Sequence, residues 1–339
     1  MKKVVSIVLA LCLMLCLFAG CAKQEAETAA TPEPEVTEEP TTIRVGALTG
    51  PTAMGMVKLM DDSRNNESAN TYEFTLQSEA SAFVSAIAKG EIDIAAVPAN
   101  LASVIYNNTD GAVKLLAINT LGVLYIVERG ESVNSIADLA GKTIYATGEG
   151  AAPEFGLRYL LKENGVDGDN APNIQWCADT TEALSYIAND ANAIAMLPQP
   201  FVTAAQAQVD GLRVAIDLND EWAKLDNGSQ MVTGVVVVRS EFAEKYPQQL
   251  NTFMQEYGKS VEFVNSNNEE AAELIGSFEI VKAPIALKAL PFCHITFLTG
   301  DEMKSAMEGY LGVLFDMNAK AIGGAMPADD FYYSYAAEK

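Results

Sequence analysis

The chain has 339 residues, 49% of them hydrophobic, with 45 acidic against 22 basic side chains, one histidine and a formal charge of −23. That excess of acid argues against nucleic acid and anionic lipid as partners, since both need basic patches. Metal-ligand spacings, a Ser-His arrangement and a phosphate-binding GxxxxGK[ST] run are all missing from the sequence.

Lys2 and Lys3 precede an apolar run from Val4 to Phe18 and then Ala19-Gly20-Cys21. A charged start, a short apolar core and small residues before a cut site make a secretory signal. The run is shorter than the roughly 20 apolar residues of a spanning helix. With Cys directly after the small residues, residues 1–20 resemble a bacterial lipoprotein signal, cleaved before Cys21 and lipidated there. Phe18 departs from the usual Leu. Residues 22–41 hold six Glu, one Lys and three Pro among Thr and Ala. Such a composition cannot bury a core, so residues 21–41 are expected to be a lipidated Cys and a disordered acidic tether. Of the five cysteines, Cys177 and Cys293 remain for the body, and two separate buried thiols are expected.

Ile43 to Leu48 reads as the first strand, followed by the turn Thr49-Gly50-Pro51-Thr52 and a helix with Met54 and Val57 facing inward. Tyr72 to Leu76 is a second strand, and Ser78 or Ser81 starts the next helix. The stretch KGEIDIAAVPAN, Lys89 to Asn100, then combines a Gly helix stop, a doubly buried apolar strand and a Pro that ends the ladder. Leu101 to Tyr106 is a short helix. Val113 to Val127 is a β-rich run broken at Asn119-Thr120-Leu121-Gly122, read as a crossover between lobes.

The pattern then repeats at an interval near 100 residues: strand 143–147, turn 148–152, helix 153–164, strand 173–177, helix 180–189, strand 193–197. AIAMLPQP, Ala193 to Pro200, echoes the first strand-Pro-amide unit, with Gln199 standing for Asn100. Gln199 to Gln208 is another short helix and Arg213 to Leu218 a strand. GVVVVR, Gly234 to Arg239, is the return after the polar turn 226–229. Ser240 to Asn265 is expected to be one long helix, and the tail from Glu269 mostly helical. An interval this long suits two duplicated lobes better than a solenoid.

Strands alternating with helices predict an α/β fold with two mostly parallel sheets joined by a two-strand hinge. Residues 42–120 plus 234–339 form lobe 1, and residues 121–233 form lobe 2. Strand ends from both lobes then point into one cleft, an arrangement suited to closure around a ligand.

RVGALTGPTAMG, KGEIDIAAVPAN, SIADLAGKTIYA (135–146), LPQPF (197–201) and VVVRSEFAEKYP (236–247), in this order behind a lipoprotein-like signal, resemble the solute-binding proteins of ABC importers. The branch they most resemble is the nitrate/sulfonate/taurine type, which includes binders of the thiamine pyrimidine precursor. The resemblance implies a two-lobed periplasmic-binding-protein fold (type II), no catalysis and no cofactor. It also implies capture of a small organic solute and delivery to ABC permease and ATPase subunits. A monomer is expected, held at the outer face of the cell membrane through lipid on Cys21, or on the periplasmic side of a cell with an outer membrane.

The resemblance places ligand contacts in the loops after the lobe strands. The matching positions are Thr49, Gly50, Pro51, Thr52 and Ala53, whose backbone could meet a negative group, or which could be a plain capped turn. Ser78 could add a hydroxyl or merely cap a helix. Asn100 and Gln199 are paired amides able to donate and accept, followed by Pro200. Asn119 and Thr120 could reach the cleft floor or satisfy hinge backbone. Gly150 and Ala151 match the first-lobe turn, while Glu149 would repel an anion. Tyr125, Phe155 and Phe201 are candidate walls, although most such aromatics are core. Arg44 lies at the wrong end of its strand, and Arg158 pairs with Glu154 four residues earlier. With no arginine clamp in view, a neutral, zwitterionic or singly charged organic solute is expected ahead of nitrate or sulfate.

Two rivals remain: a cofactor-free lyase-type enzyme, which the same fold hosts, and a receptor that presents ligand to a sensor kinase. His294, in PFCHITF, reads as a satisfied imidazole.

Overall fold

The computed structural model of the protein describes residues 41–334. The expected signal segment, Cys21 and nearly all of the expected acidic tether lie outside the described residues. The body holds two β-sheets with helices packed on them. The first contains β1 (Thr42–Leu48), β2 (Thr71–Gln77), β3 (Ile94–Pro98), β4 (Val113–Leu121), β10 (Val232–Arg239) and β11 (Ile295–Leu298), in the order β11-β4-β10-β3-β1-β2. The second contains β5 (Leu124–Glu128), β6 (Thr143–Ala146), β7 (Asn173–Trp176), β8 (Ile194–Pro198) and β9 (Arg213–Asp217), in the order β7-β6-β8-β5-β9.

The sheets are mixed rather than mostly parallel. β1 runs parallel to β2 and β3, and β6 runs parallel to β7 and β8. β10 is antiparallel to β3 and β4, and β5 is antiparallel to β8 and β9. The chain's route explains the reversal. β5 and β10 are the strands by which the chain enters each sheet from the hinge, so both run away from it. β11, antiparallel to β4, also runs away from it, and the remaining strands run toward it.

Helices flank these strands: α1 (Pro51–Met54), α2 (Val57–Arg64), α3 (Ser81–Ala88) and α4 (Ala99–Asn108) in the first lobe. α5 (Ala152–Glu163), α6 (Thr180–Asn189), α7 (Phe201–Gln206) and α8 (Leu218–Ala223) follow in the second. The chain ends with α9 (Ser240–Lys245), α10 (Pro247–Ser266), α11 (Asn268–Ser277), α12 (Ala283–Ala289) and α13 (Gly300–Asn318). Met54, Val57, Leu59 and Met60 are buried, but the one helix expected there is two, α1 ending at Met54 and α2 starting at Val57. Ile94, Ala95, Ala96 and Val97 are fully buried, which fits a strand covered on both faces.

Two further expectations need correction. The long helix over 240–265 is two helices, because Tyr246 precedes Pro247 and leaves helical geometry at φ −129°, ψ 54°. The tail is mostly helical, as expected, with β11 added as an edge strand beside β4. The break at 119–122 is narrower, since β4 continues through Leu121 and only Gly122 and Val123 link the lobes there.

The second crossing runs through α8 and the turn that follows it. The two crossings touch at Gly122, where a Cβ would lie 2.8 Å from Met231 Sδ and 3.0 Å from the Asn219 side chain. The Gly122 N–H donates to Asn219 Oδ1 at 3.1 Å. His294 faces this hinge, with Nδ1 on the Gly122 carbonyl and Nε2 3.6 Å from Asp217 Oδ2. Burial raises the Asp217 carboxyl above its ordinary value, against the pull of His294. Cys293 is buried and Cys177 half-buried, each a free thiol. Among the described residues, no helix is long and apolar enough to cross a membrane and no cluster could hold a metal ion.

Candidate functional site

The strand ends that topology aims at the hinge surround a cavity of about 320 Å³. From the first lobe come Leu48 at the end of β1, Thr52 in α1, Pro98 at the end of β3, and Asn100 in the first turn of α4. The second lobe supplies Thr147, Ala151, Ala152 and Pro153 around the β6–α5 turn, and Pro198 at the end of β8. Val123 and Leu124 from the first crossing, and Met231, Val232 and Thr233 from the second, complete the wall with Tyr310 of α13.

None of these lining side chains is charged. The wall is mostly aliphatic and proline, with polarity confined to three threonine hydroxyls, the Asn100 amide and the Tyr310 phenol. Two helix starts also converge here. Pro98 caps α4, and Ala151 caps α5. Each helix start carries a partial positive charge from its unpaired N–H groups. The two are not equivalent. Glu154 in the first turn of α5 accepts from the Gly150 N–H at 2.6 Å, whereas α4 has no acidic residue in its first turn. Burial raises the Glu154 carboxyl, but the Gly150 N–H and the Arg158 guanidinium outweigh it and hold the group below its ordinary value. The second-lobe turn is therefore neutralised from within, and α4 offers the uncompensated end.

Among the expected site residues, Thr52, Asn100 and Ala151 meet at this cavity. Asn100 Nδ2 donates to the Ala321 carbonyl at 3.2 Å, which turns its Oδ1 free for other work. The rest lie elsewhere. Thr49 spends its N–H and its hydroxyl on the Gln77 carbonyl, at 2.8 and 3.1 Å. Gly50 turns the chain at φ 123°, Pro51 opens α1, and the Ala53 N–H returns to the Gly50 carbonyl. Ser78 is exposed and precedes a helix that starts only at Ser81. Asn119 and Thr120 are buried beneath the site: Asn119 Nδ2 donates to the Thr52 carbonyl at 3.0 Å, and Thr120 Oγ1 donates to Asn119 Oδ1 at 3.1 Å. They hold the floor from below.

Gln199 is turned inward. It is buried, and its Oε1 accepts from Thr203 Oγ1 at 2.9 Å and Thr203 N at 3.3 Å, which ties down the start of α7. Pro200 follows across a cis peptide and does not line the cavity. Gly150 is exposed with its N–H engaged by Glu154. Tyr125 and Phe155 belong to the core, Tyr125 donating to the Phe292 carbonyl at 2.6 Å, and Phe201 is half-buried against the core.

The arginines behave as expected. Arg44 and Arg239 both pair with the buried Asp93, and Arg158 pairs with Glu154. All three side chains stay outside the cavity lining. Leu48, Pro98, Thr147 and Pro198 could have been found by the rule that ligands meet strand ends. Tyr310 gave no local signal, because it sits on an amphipathic helix far beyond the second crossing.

A sequence profile of ABC-transporter periplasmic phosphonate substrate-binding proteins matches residues 65–285. No curated protein matches the chain. Among solved structures, an ABC transporter protein of Parabacteroides distasonis is similar at TM-score 0.72 and 23% identity, over 87% of this chain and all (100%) of that one. The periplasmic aliphatic sulphonate binding protein SsuA of Escherichia coli is similar at TM-score 0.67 and 16% identity, over 88% of this chain and 94% of its own. The periplasmic nitrate-binding protein NrtA of Synechocystis PCC 6803 is similar at TM-score 0.58 and 13% identity, over 83% and 82%. At these identities the structures establish a shared two-lobed fold.

Proposed function

Because the chain belongs to the family of ABC-transporter periplasmic phosphonate substrate-binding proteins, we propose that it captures a small organic solute with an apolar body in the interlobe cavity and hands it to a permease. The observation that carries this reading is the cavity itself, which both lobes and both crossings build without a charged side chain. An apolar body fits against Leu48, Val123, Leu124 and Met231. A single negative or partly negative group fits at the start of α4 beside Asn100 and Thr52. A compact doubly charged anion does not suit such a wall, since buried charge needs opposite charge or several donors.

This gives a short alkyl sulfonate, an alkyl phosphonate in its singly charged form, or a neutral pyrimidine-like ring as the fitting classes. The working unit is a monomeric receptor without catalysis, tethered through lipid on Cys21 at the extracytoplasmic face. Lobe 1 comprises residues 42–120 plus 234–339 and lobe 2 residues 121–233, and the crossings at 122–123 and 218–231 allow them to close on the solute.

The test is to release co-purified small molecules from residues 42–339 for mass spectrometry, then to screen the emptied protein by thermal shift. The screen covers sulfonates, phosphonates, pyrimidines and amino acids. A compound at 100 times its Kd should add about 2.7 kcal/mol of stability. Turnover of any compound, with no stabilisation by any, sinks the receptor reading.

A further inference from the structure

The solute-facing wall contains a polar group that no neighbouring side chain explains. Tyr310 projects from α13, in the C-terminal part of the chain, and is only 3% exposed. Its hydroxyl has no hydrogen-bond partner among the described residues, yet it is not among the polar atoms sealed from solvent, which are Arg239 Nε, Gln249 Oε1, Tyr257 OH and Tyr332 OH. Tyr310 lines the cavity. An unpartnered hydroxyl that is not sealed, on a residue that lines the cavity, is well placed to meet a solute there.

We propose that Tyr310 is a specificity-determining residue whose phenol O–H donates to an acceptor oxygen of the captured solute, a sulfonyl, phosphoryl or carboxylate oxygen. The inference rests on the cavity being the solute site.

Three further observations support it. The ring is held in place. Trp222 lies 5.8 Å away, centroid to centroid, and is itself fully buried against Tyr159 at 4.7 Å. Trp222 Nε1 donates to Ser229 Oγ at 2.8 Å, and the α13 backbone at Gly309 lies so close that a Cβ there would come within 2.9 Å of Ser229 Cα. A donor fixed this way needs no reordering when solute arrives. Burial also pushes the phenol's pKa up, so it stays protonated and donates rather than carrying charge. Finally, the competing amide is partly committed: Asn100 Nδ2 spends one N–H on the Ala321 carbonyl, and its free Oδ1 can only accept. Threonine hydroxyls can point either way. Tyr310 is thus the rigid, neutral donor of the wall, and a solute without an acceptor at that point leaves it unpaired.

The experiment is isothermal calorimetry of 1-butanesulfonate, butylphosphonate and butanoate with the purified protein and with Tyr310→Phe, alongside melting of both proteins without added compound. Phenylalanine keeps the ring and its place beside Trp222. Binding by the wild type that weakens about tenfold in Tyr310→Phe, with the melting temperature unchanged, is the expected result. Equal affinity in the two proteins overturns the role of Tyr310 alone. So does a fall in melting temperature large enough to account for the lost affinity. No binding of any of the three compounds by the wild type overturns the reading of the cavity, and this inference with it.

Discussion

The two copies of the strand-Pro-amide unit diverge at the point where they should do the same work. β3 ends in Pro98-Ala99-Asn100 and β8 in Pro198-Gln199-Pro200, and both prolines line the cavity. Asn100 stands two places after its proline and reaches the site. Gln199 stands one place after and turns back onto Thr203. The residue in register with Asn100 is therefore Pro200. At the start of a helix successive side chains point about a third of a turn apart, so one position decides between cavity and core. The copies differ at their other ends as well. Asp93 precedes β3 and binds Arg44 and Arg239, whereas Ala193 holds the matching place before β8. The second lobe puts its buried carboxylate on β5 instead, where Glu128 meets Arg213. The two lobes share a backbone path and place their polar side chains differently.

The largest effect should come from Asp93→Ala. Asp93 accepts from Arg44 Nε at 2.8 Å and from Arg239 Nη2 at 3.0 Å while 3% exposed. Arg44 then loses its ion pair and Arg239 keeps only the exposed Glu241, at a cost of about 3 kcal/mol of stability, read as a lowered urea midpoint. Solute affinity should not change, because Asp93 lies at the opposite end of β3 from the cavity.

The same group gives an acid signature. Burial raises the Asp93 carboxyl, but the hydrogen bonds and charges of Arg44 and Arg239 more than offset this and hold it below its ordinary value. Glu128 is likewise held down against its burial by Ser132, Val133 and Arg213. A lowered pKa in the folded state means that the stabilisation is complete above the unfolded values, about 3.9 for Asp and 4.3 for Glu. It is lost as pH falls through the folded ones. Urea midpoints of the wild type should fall steeply below about pH 4, and Asp93→Asn should flatten part of that slope. A parallel slope in the variant would remove Asp93 from the account.

Gln199→Ala should come next, with about 1–3 kcal/mol lost from the unpaired Thr203 hydroxyl and N–H and little change in Kd. Asn100→Ala should reverse the pattern, raising Kd about fivefold to tenfold while costing about 1 kcal/mol of stability through the Ala321 bond. If Gln199→Ala weakens binding more than Asn100→Ala, the assignment of the two amides is inverted. Arg158→Ala is the smallest change, below about 0.5 kcal/mol, since its ion pair with Glu154 is exposed on the Arg side.

Much of the fold was legible because it rests on patterns of period two and 3.6. β1, β3, β6, α6 and β8 fall within a residue or two of where alternation, Gly stops and Pro stops put them. α8 and β11 were not legible. The first carries Asn219, Asp220 and Glu221 on a short turn that looks like loop, and the second is a four-residue edge strand whose place depends on β4. The candidate site was legible to the level of strand ends and no further. Thr52, Asn100 and Ala151 follow from topology, but Gln199 needed the helix phase after Pro198. Tyr310 needed the tertiary path of α13, which no local pattern encodes.

The strand order of the first sheet has a consequence for how the chain acquires its structure in time. β10 sits between β3 and β4, so those two strands, close in sequence, have no direct ladder to each other. A chain released from its amino end can complete the second sheet once Asp217 is free, since β5 to β9 are contiguous. The first sheet must wait for Val232–Arg239 to wedge between strands made more than a hundred residues earlier. Such distant pairing is slow, and it leaves the flanking edges of β3 and β4 open meanwhile. From this order the second lobe should fold first, leaving the first open to misassociation until β10 arrives.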